Sequence, residues 1–117
     1  MRLNEISYTD AEPVDGYGPG FFRIGGQVYE GSVLTGPLGT APWGGFEDAE
    51  PLLALADHVD VLFIGVGAKV GHIPPALRAE LDAAGIGSEP MDSATACRTY
   101  NVLLSEGRRV ALALIPV

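Results

Sequence analysis

Basic residues are scarce in this chain. Seven Lys and Arg stand against fifteen Asp and Glu, for a net charge of −8. So acidic a chain offers no basic face to a phosphate backbone, which argues against nucleic acid as a partner. Cysteine is limited to Cys97, so an internal disulfide and a multi-cysteine metal cluster are ruled out. His58 and His72 lie far apart and match no metal-ligand spacing, and no His-Glu-x-x-His run occurs, so no metal is expected. Long apolar runs are missing too. The longest, near Val59–Val66 and Val110–Val117, are too short to span a bilayer. Residues 1–15 carry Glu5, Asp10, Glu12 and Asp15 and no apolar stretch, matching neither a signal peptide nor an Arg-rich transit peptide; the cytoplasm is the expected compartment. There is no Gly-x-Ser-x-Gly elbow, paired-carboxylate motif, haem signature, repeat or low-complexity segment, so no catalytic residue and no cofactor are assigned.

What is present is a core's worth of apolar residues. They make up 47% of 117 residues, enough for one domain and too few for two. Residues 1–20 read as an irregular lead-in and 21–117 as the domain. Phe21–Ile24 and Gln27–Glu30 flank Gly25 and Gly26, the pattern of a hairpin on a tight primed turn. Ser32–Thr35 continues it or adds a strand, and residues 36–45 read as a glycine-rich loop holding Trp43. A short helix is expected over 48–56, capped by Asp48 with Pro51 in its first turn. Val59–Gly65 reads as a strand buried on both faces, the mark of a parallel sheet covered by helices. A helix over 74–84 stopped by Gly85, a strand over 86–91, a helix from Asp92 or Ser93 to about Ser105, and a last strand over 108–116 follow. This order predicts an α/β, three-layer single domain with helices on the faces of a central sheet and an N-terminal β-hairpin.

Two regions are candidates for function. Gly65, Gly67 and Gly71 follow the buried strand, and the helix opening at Asp92, Ser93 and Thr95 is expected at the same sheet edge, where open α/β sheets bind ligands. Free N–H groups there, with Lys69, His72 or Arg98, would hold a small anion; the plainer reading is a tight strand exit and a capped helix. The spacing fits neither a dinucleotide fingerprint nor a phosphate-binding loop. Trp43 and Phe46 are the candidate protein-interaction surface, although a Trp in such a loop also commonly lids a core. Cys97 falls on the apolar face of its helix with Ala96, Tyr100, Leu103 and Leu104, where a thiol is inert. The Arg108 and Arg109 pair reads as edge charge or as a dock for an acidic partner. Asn101 lies opposite that apolar face, and it and the Tyr100 hydroxyl need hydrogen-bond partners if buried.

Residues 61–69 (VLFIGVGAK), 86–92 (IGSEPMD) and 96–114 (ACRTYNVLLSEGRRVALAL) are distinctive together. The chain from about residue 20 onward resembles a small family of undetermined function, MTH938-like in fold, that includes the mitochondrial complex I (NADH:ubiquinone oxidoreductase) assembly factor 3 and an adipogenesis-associated cytosolic protein. The family's Gly-x-Gly matches Gly65 and Gly67, its helix-opening Asp-Thr matches Asp92 and Ser93, its Thr-Tyr-Asn matches Thr99, Tyr100 and Asn101, and its late Arg matches Arg109. The resemblance implies a mixed, mostly parallel central sheet with an antiparallel final strand, no established catalytic activity, and protein partners among respiratory-complex or membrane-biogenesis subunits.

Overall fold

The computed structural model describes residues 11–117. Three strands come first: β1 (Val14–Gly18), β2 (Phe21–Ile24) and β3 (Gln27–Glu30), paired antiparallel in that order. The β2–β3 hairpin turns through Gly25 and Gly26 at φ 58° and 83°, the positive values a primed two-residue turn demands. The second sheet is built from β4 (Val33–Gly36), β5 (Gly39–Pro42), β6 (Val61–Val66), β7 (Gly87–Met91) and β8 (Val110–Ile115), ordered β5-β4-β8-β6-β7. The helices are α1 (Glu50–Leu53), α2 (Pro75–Ala83) and α3 (Ser93–Ser105).

The five-stranded sheet is mixed. β6 runs parallel to both β7 and β8, and β4 runs antiparallel to β5 and β8. Its parallel interior strands, β6 and β8, read as nearly unbroken apolar runs because both faces are covered. On one face Leu62, Ile64, Ala111 and Ala113 pack against Leu52 of α1, Leu55 just beyond it, and Leu77 and Leu81 of α2. On the other, Phe63, Leu112 and Leu114 pack against Ala96, Cys97 and Tyr100 of α3, and against Val14, Phe22 and Ile24 of the smaller sheet. The result is three layers: α1 with α2, the central sheet, and α3 with the smaller sheet. Among the described residues, no helix is long and apolar enough to cross a membrane.

Four expectations need correction. Within residues 1–20, the described part is not irregular: Val14–Gly18 is β1, and residues 1–10 lie outside the described residues. Burial alternates along β1, but the less exposed positions after Val14 are glycines, Gly16 and Gly18, so no apolar alternation marks the strand in the sequence. The loop over 36–45 contains β5, which pairs back on β4 across the turn at Pro37 and Leu38. The helix expected over 48–56 is regular only over Glu50–Leu53, and Asp48 does not cap it; the Asp48 carboxylate accepts the Gly44 N–H at 3.0 Å instead. The last strand is antiparallel only to β4, for the long α3 crossover returns the chain parallel to β6.

Candidate functional site

The Gly65–Ser93 edge is a closed joint. β6 ends at Val66, and α3 begins directly above it. The Ser93 hydroxyl accepts the Gly67 N–H at 2.9 Å and donates to the Ile115 carbonyl at 2.6 Å, while the Ser93 N–H donates to the Gly67 carbonyl at 2.8 Å. One fully buried side chain therefore ties together the exit of β6, the start of α3 and the end of β8. Gly65 makes this approach possible. A Cβ there would sit 2.6 Å from the Ser93 Oγ, 2.7 Å from the Leu114 Cδ2 and 2.8 Å from the Ser93 Cα. Gly67 holds φ at 108°, which side-chain-bearing residues rarely adopt.

The cap belongs to Asp92, whose carboxylate accepts the Thr95 N–H at 3.0 Å. Hydrogen bonds from the Thr95 hydroxyl and N–H, with Arg98 nearby, hold the Asp92 carboxyl below its ordinary 3.8. A depressed folded-state pKa stabilises the fold above the unfolded value, and that contribution is lost as pH falls through the folded one. The stability gap between wild type and Asp92→Ala, read from urea midpoints, is therefore expected to be constant near neutrality and to shrink below pH 3.8.

The structure thus brings together Gly65, Gly67, Asp92, Ser93, Thr95 and Arg98, but not as an anion socket. The N–H groups of Gly67, Ser93 and Thr95 are donated within the joint, and that of Ala96 goes to the Asp92 carbonyl. Arg98 is exposed and donates to the Thr95 hydroxyl at 3.3 Å, and Lys69 and His72 are exposed on the loop. Trp43 is likewise corrected as a surface residue: it is 4% exposed within the α1–α2 core, and its indole N–H donates to the Asp48 carbonyl at 2.9 Å. Phe46 is half-buried against it, edge to face at 6.1 Å.

Tyr100 and Asn101 form a second joint. The Asn101 side-chain amide accepts the Val14 N–H at 2.8 Å and donates to the Val14 carbonyl at 2.9 Å, reproducing a ladder pair along the open edge of β1. The Tyr100 hydroxyl donates to the Glu12 carbonyl at 3.1 Å, and burial pushes its pKa up to about 12. These contacts pin the start of the small sheet to α3 and answer where both polar groups find partners.

Cys97 is buried, and desolvation raises its pKa to about 11 despite Arg98 beside it. At pH 8 roughly one thiol in a thousand is ionised. Native protein is expected to react with a disulfide reagent only on unfolding, with full stoichiometry in denaturant; rapid native labelling at pH 8 would contradict this placement.

At the opposite end of the sheet, where β6 and β8 begin and α3 ends, lies a cavity of about 630 Å³. Its walls include Pro37, His58, Leu104, Arg108, Arg109 and Val110. From the sequence only the Arg108–Arg109 pair stands out here, as edge charge or a dock for an acidic partner, because the rest of the lining comes from separated segments.

Layer order and sheet topology define a Mth938-like α/β domain. A solution structure of such a domain from Bordetella pertussis is 28% identical, with a TM-score of 0.74, covering 99% of this chain and 92% of that one. The crystal structure of an outer membrane protein from Bartonella henselae is 36% identical, with a TM-score of 0.83, covering 92% and 96%. The family described as a protein of unknown function (DUF498/DUF598) matches residues 14–115, and the chain belongs to it. An uncharacterised protein of Rhodobacter capsulatus is 51% identical over 117 residues, covering 100% of this chain and 94% of that protein. The NADH dehydrogenase [ubiquinone] 1 alpha subcomplex assembly factor 3 of Danio rerio is 32% identical over 107 residues, covering 86% of this chain and 62% of the relative. The chain thus spans less than two thirds of that assembly factor's length.

Proposed function

We propose that this chain is a non-enzymatic assembly factor that binds protein subunits of a membrane respiratory complex during its construction, from the cytoplasmic side. The observation that carries this reading is the chain's similarity, over most of its length, to assembly factor 3 proteins. The geometry of the shared motif supports it. Gly65, Gly67, Asp92, Ser93, Tyr100 and Asn101 hold the fold's own backbone together, which leaves the surface to carry function. A net charge of −8 suits that surface to basic partner segments.

Trp43→Ala does not test this, since truncating a buried Trp costs roughly 3–5 kcal/mol and threatens the fold itself. The decisive experiment removes the chain from the cell that makes it and measures assembled NADH:ubiquinone oxidoreductase on native gels, with re-expression as control. A fall in assembled complex, restored by re-expression, is the expected result. An unchanged amount of complex, with unchanged NADH oxidation by membranes, overturns the reading.

A further inference from the structure

We infer that the cavity at the start of β6 and β8 is a binding site for a small amphipathic monocarboxylate, an apolar body ending in one carboxylate. Its volume of about 630 Å³ lies within the range of sites that enclose small molecules. Its walls are of two kinds. Pro37, Leu104 and Val110 supply apolar surface, and the exposed Arg108 and Arg109 supply positive charge. A guanidinium presents paired N–H donors that match the two oxygens of a carboxylate. Arg109 is already engaged: its Nη2 meets the Asp60 carboxylate at 3.2 Å, and its Nη1 donates to the Asp57 carbonyl at 3.4 Å. Arg108 is therefore the guanidinium assigned to the ligand's carboxylate, with Arg109 adding positive charge beside it.

The charge around the cavity sets the ligand's own charge. Asp57 also lines it, Asp60 pairs with Arg109, and the C-terminal end of α3 brings partial negative charge to the same wall. These offset the arginines enough to disfavour a phosphate dianion, and the chain's overall charge opposes polyanions further. A single carboxylate on an apolar tail meets both kinds of wall without excess charge. This site lies at the opposite end of the sheet from the Gly65–Ser93 joint, and its existence does not depend on the assembly role.

The test is a nitrogen-15 NMR titration of the full chain with sodium octanoate, with octanol, acetate and inorganic phosphate as comparisons. Saturable shifts are expected at the amides of Ser105, Gly107, Arg108, Arg109 and Val110. Octanoate should bind about tenfold more tightly than any comparison compound, the value of one charge-assisted hydrogen bond. Arg108→Ala, a change at an exposed position, should weaken octanoate about tenfold and leave octanol unaffected. The proposal is overturned by any of three results: shifts absent or clustered elsewhere, octanol or phosphate binding as tightly as octanoate, or octanoate affinity unchanged in Arg108→Ala.

Discussion

Gly65→Ala is expected to lower stability by roughly 3 kcal/mol, at the upper end of the overpacking range, which for a domain of this size is on the order of 10 °C in Tm. The new methyl group would lie inside contact distance of three atoms, and one of them, the Cα of Ser93, is backbone. A flexible side-chain end can turn aside, but a helix start cannot without moving the helix. Displacing α3 would separate the Ser93 hydroxyl from the Gly67 N–H and the Ile115 carbonyl, leaving a buried donor and acceptor unpaired. It would also loosen Ala96, Cys97 and Tyr100 from Phe63 and Leu112. Thermal unfolding followed by circular dichroism measures the effect. A Tm within a degree or two of wild type would mean that α3 does not press on β6 as described. Gly16, where an added Cβ meets nothing within 4 Å, is the matched control, and Gly16→Ala should be far milder.

The second large effect is expected from Asn101→Leu. Leu fills similar volume but neither donates nor accepts, so the Val14 N–H and carbonyl both lose their partners. The loss should amount to roughly 2 kcal/mol for a partly buried pair of this kind. Its location is more diagnostic than its size. Asn101 is the clamp on the open edge of β1, so amide exchange should accelerate in β1 and β2 while β6 and β8 keep their protection. Tyr100→Phe, which removes the hydroxyl that bonds the Glu12 carbonyl, should show the same pattern at about half the size. Uniform acceleration across both sheets would show instead that the small sheet does not open separately from the rest.

These two joints also show what was legible in the sequence. β6 and α3 were plain, because an apolar run buried on both faces and a capped amphipathic helix are local patterns. The β2–β3 hairpin was plain because Gly25 and Gly26 state the turn directly. β1 and β5 were not. Each is rich in glycine, proline or polar residues and exists through pairing with a partner strand, and β1 alternates in burial through glycines rather than apolar side chains. The Gly65–Ser93 edge was correctly brought together, and of its two readings the plainer one, a tight strand exit beside a capped helix, matches the bonds found there. Asp92 takes the cap, which turns the Ser93 hydroxyl inward to satisfy backbone groups that an anion would have needed. Of the two readings of Trp43, the core lid is the one the fold shows, with its ring completing the α1–α2 core. The arginine-lined cavity could not be assembled from the sequence, because Pro37, His58, Leu104 and Arg108 meet only through the order of the strands.

The family motif builds a structural joint from Gly65, Gly67, Asp92 and Ser93. The most direct measurement is amide exchange at Gly67, in the free chain and with excess inorganic phosphate. The account predicts strong protection in the free chain, from a buried N–H donated to the Ser93 hydroxyl, and no change on adding phosphate. Fast exchange in the free chain, slowed by phosphate, would contradict it and restore that edge as an anion site.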